Sequence, residues 1–226
     1  MLMLSIDSSG KSAAVAVTDG EKLIAGGFEN SGYTHSQTLL ALVDDTLRHA
    51  GVETGDIGEF AVTCGPGSFT GLRIGCALVM GLAGPRPCVA VPTLLALAYN
   101  LIDRDGVVIP VLDARCAQVY TAAFRIRSGR VRRIAGDMAV SARSAAGMAN
   151  ELAGKGDSVR ILGDGAYLLE GLVTPPVNQE EDKPLITGES VARAAAGLER
   201  CSAADLRLSY LRLSQAERER LNKKIE

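Results

Sequence analysis

Short apolar runs open the chain. Met1 to Ile6 closes on Asp7, Ala13 to Val17 follows the turn Asp7-Ser8-Ser9-Gly10-Lys11, and Lys22 to Phe28 lies beyond the hairpin signal Asp19-Gly20. Runs of this length bounded by turn residues predict three strands. After Gly32 the spacing lengthens: Leu39, Leu40, Val43 and Leu47 form one inward stripe of a helix from Ser36 to Ala50, and Gly51 stops it. Glu59 to Thr63 reads as a strand, Thr70 to Gly84 as a helix and Val89 to Val91 as a strand. Pro92-Thr93 opens a helix to about Ile102. The first half is therefore βββαβαβα, ending near Arg104.

Val107 to Leu112 starts the pattern again, and this apolar run also closes on an aspartate, Asp113. Strands follow at Gln118–Arg125 and near Arg130–Met138, then a helix capped by Ser141 and reaching about Leu152. A strand at Val159–Leu162 and a helix from Thr187 to Leu198 complete the second copy. Gly163 to Pro184 reads as loop, Asp205 to Leu213 as extended chain, and Ser214 to Ile225 as a charged terminal helix. Repetition on this scale predicts a duplicated lobe. The expected fold is α/β: a two-lobed actin/Hsp70/sugar-kinase-like (duplicated RNase H-like) fold with a reduced second lobe. Residues 1–104 make the first lobe, joined by the helix 214–226, and 105–213 make the smaller one.

Composition narrows the function classes. The 226 residues are 47% hydrophobic and 22% charged, enough for a sizeable core. A formal charge of −2, with 4% aromatic residues and no Trp, speaks against autonomous nucleic-acid binding and base-stacking platforms. Cys64, Cys76, Cys88, Cys116 and Cys201 are odd in number and include no C-x-x-C pair, which predicts free thiols in a reducing cytoplasm. No signal peptide is expected, and the most apolar segment, Ile74 to Gly84, is too short to span a bilayer.

The stretch Cys64-Gly65-Pro66-Gly67-Ser68-Phe69-Thr70-Gly71-Leu72-Arg73-Ile74-Gly75 sits between a strand and a helix. That layout aims backbone N–H groups at an anion. The spacing fits neither the dinucleotide fingerprint nor the P-loop, so a structural turn built on Gly65, Gly67, Gly71 and Gly75 competes with a phosphate loop. Ser68 or Thr70 can cap the helix. From Thr70 to Gly84 the single charge is Arg73, which predicts a helix covered on every side, partly by another molecule. The expected partner interface is Leu42, Phe69, Leu72, Arg73, Cys76, Val79, Met80 and Ala83.

Catalysis finds less support. The two histidines, His35 and His49, are fourteen residues apart, about 21 Å along one helix, too far for a common metal. Asp7 and Asp113 are weak candidates for a nucleotide site, against the reading that each binds its own turn. Gly163-Asp164-Gly165-Ala166 is the one second-lobe candidate for a nucleotide loop, and it suits an ordinary turn. A nuclease needs more strand carboxylates than Asp7 and Glu59, and Ser68 and Thr70 have no base nearby in sequence.

Several segments resemble one family in its own order: Ile6-Asp7-Ser8-Ser9, Thr34-His35-Ser36-Gln37, the block Gly65 to Gly75, Leu112-Asp113-Ala114-Arg115 with Val119-Tyr120, and Tyr210-Leu211-Arg212. The chain is similar to the TsaB (YeaZ) family, and the Gly65–Gly75 block is the specific part. The resemblance implies a bacterial, non-catalytic accessory subunit in the formation of N6-threonylcarbamoyladenosine at position 37 of ANN-decoding tRNAs. It implies binding to the catalytic subunit TsaD through helices of the first lobe, a TsaE-type ATPase joining later, and homodimers in isolation. It implies tRNA contact only through the complex, no cofactor for this chain alone, and ATP in the assembly. The alternative is an autonomous ATP-binding enzyme of the kinase-like architecture using Asp7.

Overall fold

The computed structural model describes residues 1–32, 34–174, 178–179 and 185–212. Its first sheet takes β1 (Leu2–Asp7), β2 (Ala13–Asp19), β3 (Lys22–Glu29), β4 (Glu59–Gly65) and β5 (Cys88–Pro92) in the order β3-β2-β1-β4-β5. The second takes β6 (Gly106–Asp113), β7 (Gln118–Arg127), β8 (Arg130–Ser141), β9 (Val159–Leu162) and β10 (Asn178–Gln179) in the order β8-β7-β6-β9-β10. Strand for strand, the order is the same. In each sheet the first three strands form an antiparallel meander and the last two run parallel to the first. This is the duplicated actin/Hsp70/sugar-kinase-like architecture expected from the sequence. The two-residue β10 is where the second copy is reduced.

β1, β2 and β4 are buried on both faces, which is why they read as unbroken apolar runs rather than as alternation. Their alternate residues feed two different cores. Leu4, Ile6, Val15, Val17, Phe60 and Val62 face outward, under α1 (His35–Ala50) and α2 (Phe69–Ala83). Met3, Ala61, Val89 and Val91 face inward, into a core shared with α3 (Thr93–Ala98) and with Val108, Ala122 and Phe124 of the second sheet. α4 (Ala142–Gly154) covers the outer face of that sheet through Ala145, Ala146 and Ala149. Helix, sheet, helix, sheet and helix thus form successive layers.

The caps follow the sequence. Gly51 ends α1 in the left-handed conformation at φ 70°. The Ser68 hydroxyl accepts from Gly71 N at 3.2 Å, and the Ser141 hydroxyl accepts from Ser144 N at 3.1 Å. Thr187 and Ser190 form a reciprocal capping box at the start of α5 (Gly188–Ala195).

Four expectations are corrected. Leu40 is not part of the inward stripe of α1: it is 52% exposed, and Thr46 takes a buried place beside Leu39, Val43 and Leu47. Gly163 to Pro184 is not wholly loop, since Ala166–Leu169 forms a 3-10 turn and Asn178–Gln179 pairs with β9. Asp205 is not part of the stretch expected to be extended, since it closes a 3-10 turn over Ala203–Asp205. Finally α5, placed by sequence order in the second lobe, lies on the inner face of the first sheet against β1 and β2. The Ser5 hydroxyl donates to Gly188 O at 2.7 Å, and a Cβ at Gly188 would lie 2.4 Å from Ala16 N. Val191, Ala194 and Ala195 supply the apolar cover that α3 alone cannot give that face. Beyond α5, the Arg200 guanidinium meets the buried Glu59 carboxylate at 2.6 Å, tying the returning chain to β4. The helix expected over Ser214–Ile225 lies outside the described residues.

Candidate functional site

β4 and β9, equivalent strands of the two copies, end in matched elbows. Gly65-Pro66-Gly67 closes the first and Gly163-Asp164-Gly165 the second, with φ at +118° for Gly65 and +122° for Gly163. Only glycine adopts that conformation without strain. Space is short as well. A Cβ at Gly65 would lie 2.2 Å from Ser209 O, and one at Gly163 would lie 2.1 Å from Val111 O. Gly67 of the elbow and Gly71 and Gly75 of α2 meet the turn after β1: added Cβ atoms there would lie 2.5 Å from Ser9 O, 2.0 Å from Ser8 O and 2.3 Å from Ser8 Oγ. Ser68 N donates to Ser9 O at 2.6 Å, and the Ser8 hydroxyl donates to Gly71 O at 2.9 Å. The glycine block is therefore a dock for α2 on the Asp7–Lys11 turn, and the N–H of its capping residue Ser68 is bound to protein.

The two strand-ending aspartates are matched too. Asp7 Oδ1 accepts from Ser9 N at 3.1 Å, from the Ser9 hydroxyl at 2.6 Å and from the Thr63 hydroxyl at 2.7 Å. Asp113 Oδ1 accepts from Arg115 N at 2.7 Å, and the Tyr167 hydroxyl donates to Oδ2 at 3.3 Å. Both bind the backbone two residues on, as an Asx turn does. Burial pushes the Asp7 carboxyl above its ordinary range, and the bonds from Ser9 and Thr63 offset only part of that. Burial likewise raises Asp164, whose Oδ1 accepts from Asp113 N at 3.0 Å.

Between the lobes lies a cavity of about 500 Å³, walled by Ser9–Lys11, Gly67–Thr70, Leu112–Arg115 and Ser209–Arg212. Asp113 and Asp164 line it; Asp7 does not. Residues 209–212 cross it as a strap. Ser209 N donates to Cys64 O at 2.7 Å on the first lobe, and the Arg212 guanidinium donates to Ala114 O on the second. Midway, Tyr210 stacks on Phe69 with ring centroids 4.5 Å apart, and the Arg73 guanidinium sits 3.9 Å over the Phe69 ring while Arg73 Nε donates to the Tyr210 hydroxyl at 3.1 Å. Arg212 thereby reaches the start of a turn in which Arg115, Cys116 and Ala117 are left-handed, at φ 63°, 55° and 54°. Ser9, Asp113, Asp164, Tyr210 and Arg212 of the cleft are thus each engaged with a protein partner. The Tyr210-Leu211-Arg212 motif is visible in the sequence, but nothing there places it across the cleft on Phe69.

The expected interface residues divide sharply. Leu72, Val79 and Ala83 are fully buried and Cys76 nearly so, and Cys76, Val79 and Ala83 pack into the core under the first sheet. They do not form an exposed patch, because a helix with apolar residues on every side still presents its bulkiest stripe to the core. Leu42 is half-buried, Phe69 and Arg73 belong to the strap cluster, and Met80 alone of the set is an exposed large apolar side chain, at 45%. The outward strip of α2 is Arg73, Ala77, Met80 and Gly81, flanked by the half-buried Ile74 and Leu78. α1, which packs against α2, exposes Leu40.

A family model for TsaD, the tRNA N6-adenosine threonylcarbamoyltransferase, matches residues 29–198. The solved YeaZ from Pseudomonas aeruginosa superposes with a TM-score of 0.79 at 27% identity, over 93% of this chain and 99% of that one. The chain belongs to the TsaB (YeaZ) family. The tRNA threonylcarbamoyladenosine biosynthesis protein TsaB of Escherichia coli (strain K12) is 35% identical over 130 residues, 55% of each chain. That of Bacillus subtilis (strain 168) is 32% identical over 142 residues, 62% of each. The chain thus spans little more than half the length of these TsaB relatives. Among the described residues no TsaB helix here is long and apolar enough to cross a membrane.

Proposed function

We propose that this chain is a non-catalytic accessory subunit in the formation of N6-threonylcarbamoyladenosine at position 37 of ANN-decoding tRNAs, acting in the cytoplasm. Its role is to hold a TsaD-type catalytic subunit, with a TsaE-type ATPase and ATP entering in the assembly. The names of its relatives supply the pathway. The observation that carries the accessory role is the outer strip of α2, where Ala77, Met80 and Gly81 stand exposed and Arg73 is the single charge. With the exposed Leu40 of α1, the helix that packs against α2, this strip offers a docking face, and a stable interface of about 800 Å² per partner would draw on both helices. In isolation the same face would pair with a second copy.

The test uses Met80→Glu and Leu40→Glu, which place a charge on the strip without touching the core, unlike a change at the buried Val79. Both variants are expected to keep the thermal midpoint of the parent, to sediment as monomers and to lose the catalytic subunit in co-purification. Unchanged sedimentation and unchanged partner binding would rule out this face. Reconstitution with TsaD-type and TsaE-type subunits should give modified tRNA only when this chain is added.

A further inference from the structure

The tip of the β7–β8 hairpin carries a charge pattern that the docking role leaves unused. Five of the nine residues from Arg125 to Arg133 are arginine, in a chain of formal charge −2. Arg125 stands directly opposite Arg132, and Arg127 opposite Arg130, so four guanidinium groups share one face of the hairpin. The alternate positions turn the other way, with Phe124 and Ile126 in the central core and Val131 packed against it. Asp157 meets Arg125 at 2.9 Å. Arg127, Arg130 and Arg132 are exposed, and no ion pair holds them among the described residues.

Like charges placed opposite each other on paired strands destabilise a sheet. Guarding an edge does not account for the arrangement. β8 is an edge strand and gains from charge there, but Arg127 lies on the interior strand β7, and edge protection asks for no matched pair. A polyanion that threads between the pairs removes the repulsion.

Resting on the functional reading above, we propose that this face binds the phosphate backbone of the tRNA within the assembly. The face carries no exposed aromatic ring, so it contacts phosphates rather than stacked bases. It also lacks the apolar anchor that a protein hot spot or a lipid surface needs. The low overall charge makes it a contributing contact, not a capture site that works alone.

The test compares the parent chain with an Arg127→Ala/Arg130→Ala/Arg132→Ala variant, each assembled with the catalytic subunit. Labelled unmodified tRNA transcript is titrated over a range of salt concentrations. The variant is expected to bind about tenfold more weakly, and its log affinity should fall with log salt by a slope shallower by about two. Its thermal midpoint should rise, since the repulsion is gone. Equal affinity and equal slope overturn the proposal, as does a loss confined to polyglutamate or to phosphatidylserine vesicles. Product formation separates the two claims. If the parent chain supports no modification, the accessory role fails. The salt titration of tRNA on the assembled complex needs no turnover, so it still decides the hairpin.

Discussion

Asp7 keeps three donors on one carboxylate oxygen and is shut away from the cleft, so its charge is a burden that its neighbours only partly relieve. A carboxyl whose folded pKa is raised stabilises the fold most fully at low pH, where it is protonated in both states. That stability is lost as pH rises through the folded value. Asp7→Asn keeps an acceptor for Ser9 and Thr63 while removing the charge. Its thermal midpoint at neutral pH should equal or exceed the parent's, and the gap should close as pH falls toward about 4. Modification in the reconstituted assembly should be unchanged. Tight MgATP binding by the parent chain, abolished in this variant by isothermal titration, would instead favour the kinase-like enzyme. The Asx-turn role of Asp7 and Asp113 is legible in the sequence, from the small residues that follow. The partnership with Thr63, 56 residues away, is not, because it depends on β1 and β4 becoming neighbours.

Elements were readable where one periodicity dominated. β1, β2 and β4 announce themselves as apolar runs, and α1 as a stripe, because burial on two faces or one leaves its own rhythm. The stripe misled only at Leu40, where a helix 16 residues long has room for an apolar side chain on its solvent side. α2 is harder. Its composition gives little contrast between faces, so the residues on the core side and those on the outer side could not be told apart from the pattern. Its glycines also differ in kind, which only their packing in the folded chain reveals. Gly71→Ala would drive a Cβ into the Ser8 carbonyl, whereas Gly81→Ala meets nothing within 4 Å. The first should destabilise by roughly 2–3 kcal/mol, while the second should stabilise by about 0.8 kcal/mol, the helix preference of alanine over glycine. Urea unfolding of the two variants checks both signs. If Gly81→Ala is the worse of the pair, the dock described for the elbow is wrong.

Across the whole molecule, the two sheets repeat one plan, but the chain does not keep its halves apart. α5 and the segment after it return to the first sheet, and Arg200 seals the return on Glu59, whose side chain is almost fully buried. Arg200→Ala would strand that carboxylate, and a loss of about 3 kcal/mol is expected, near the low end for breaking a buried pair because the arginine itself is partly exposed. Chemical denaturation measures it; Arg200→Ala/Glu59→Gln should recover part of the loss. Sequence order could not foresee this crossing, since each half contains a complete copy of the repeated pattern and nothing in α5 marks which sheet it will cover. The crossing also has a meaning for synthesis. On the ribosome the first sheet emerges early with its inner face only partly covered by α3, and the helix that completes the cover is translated some 90 residues after the end of the first lobe. At about 5–20 residues per second, the nascent lobe waits on the order of 5–20 s for its last layer, an interval in which a chaperone that shields apolar sheet would find its client.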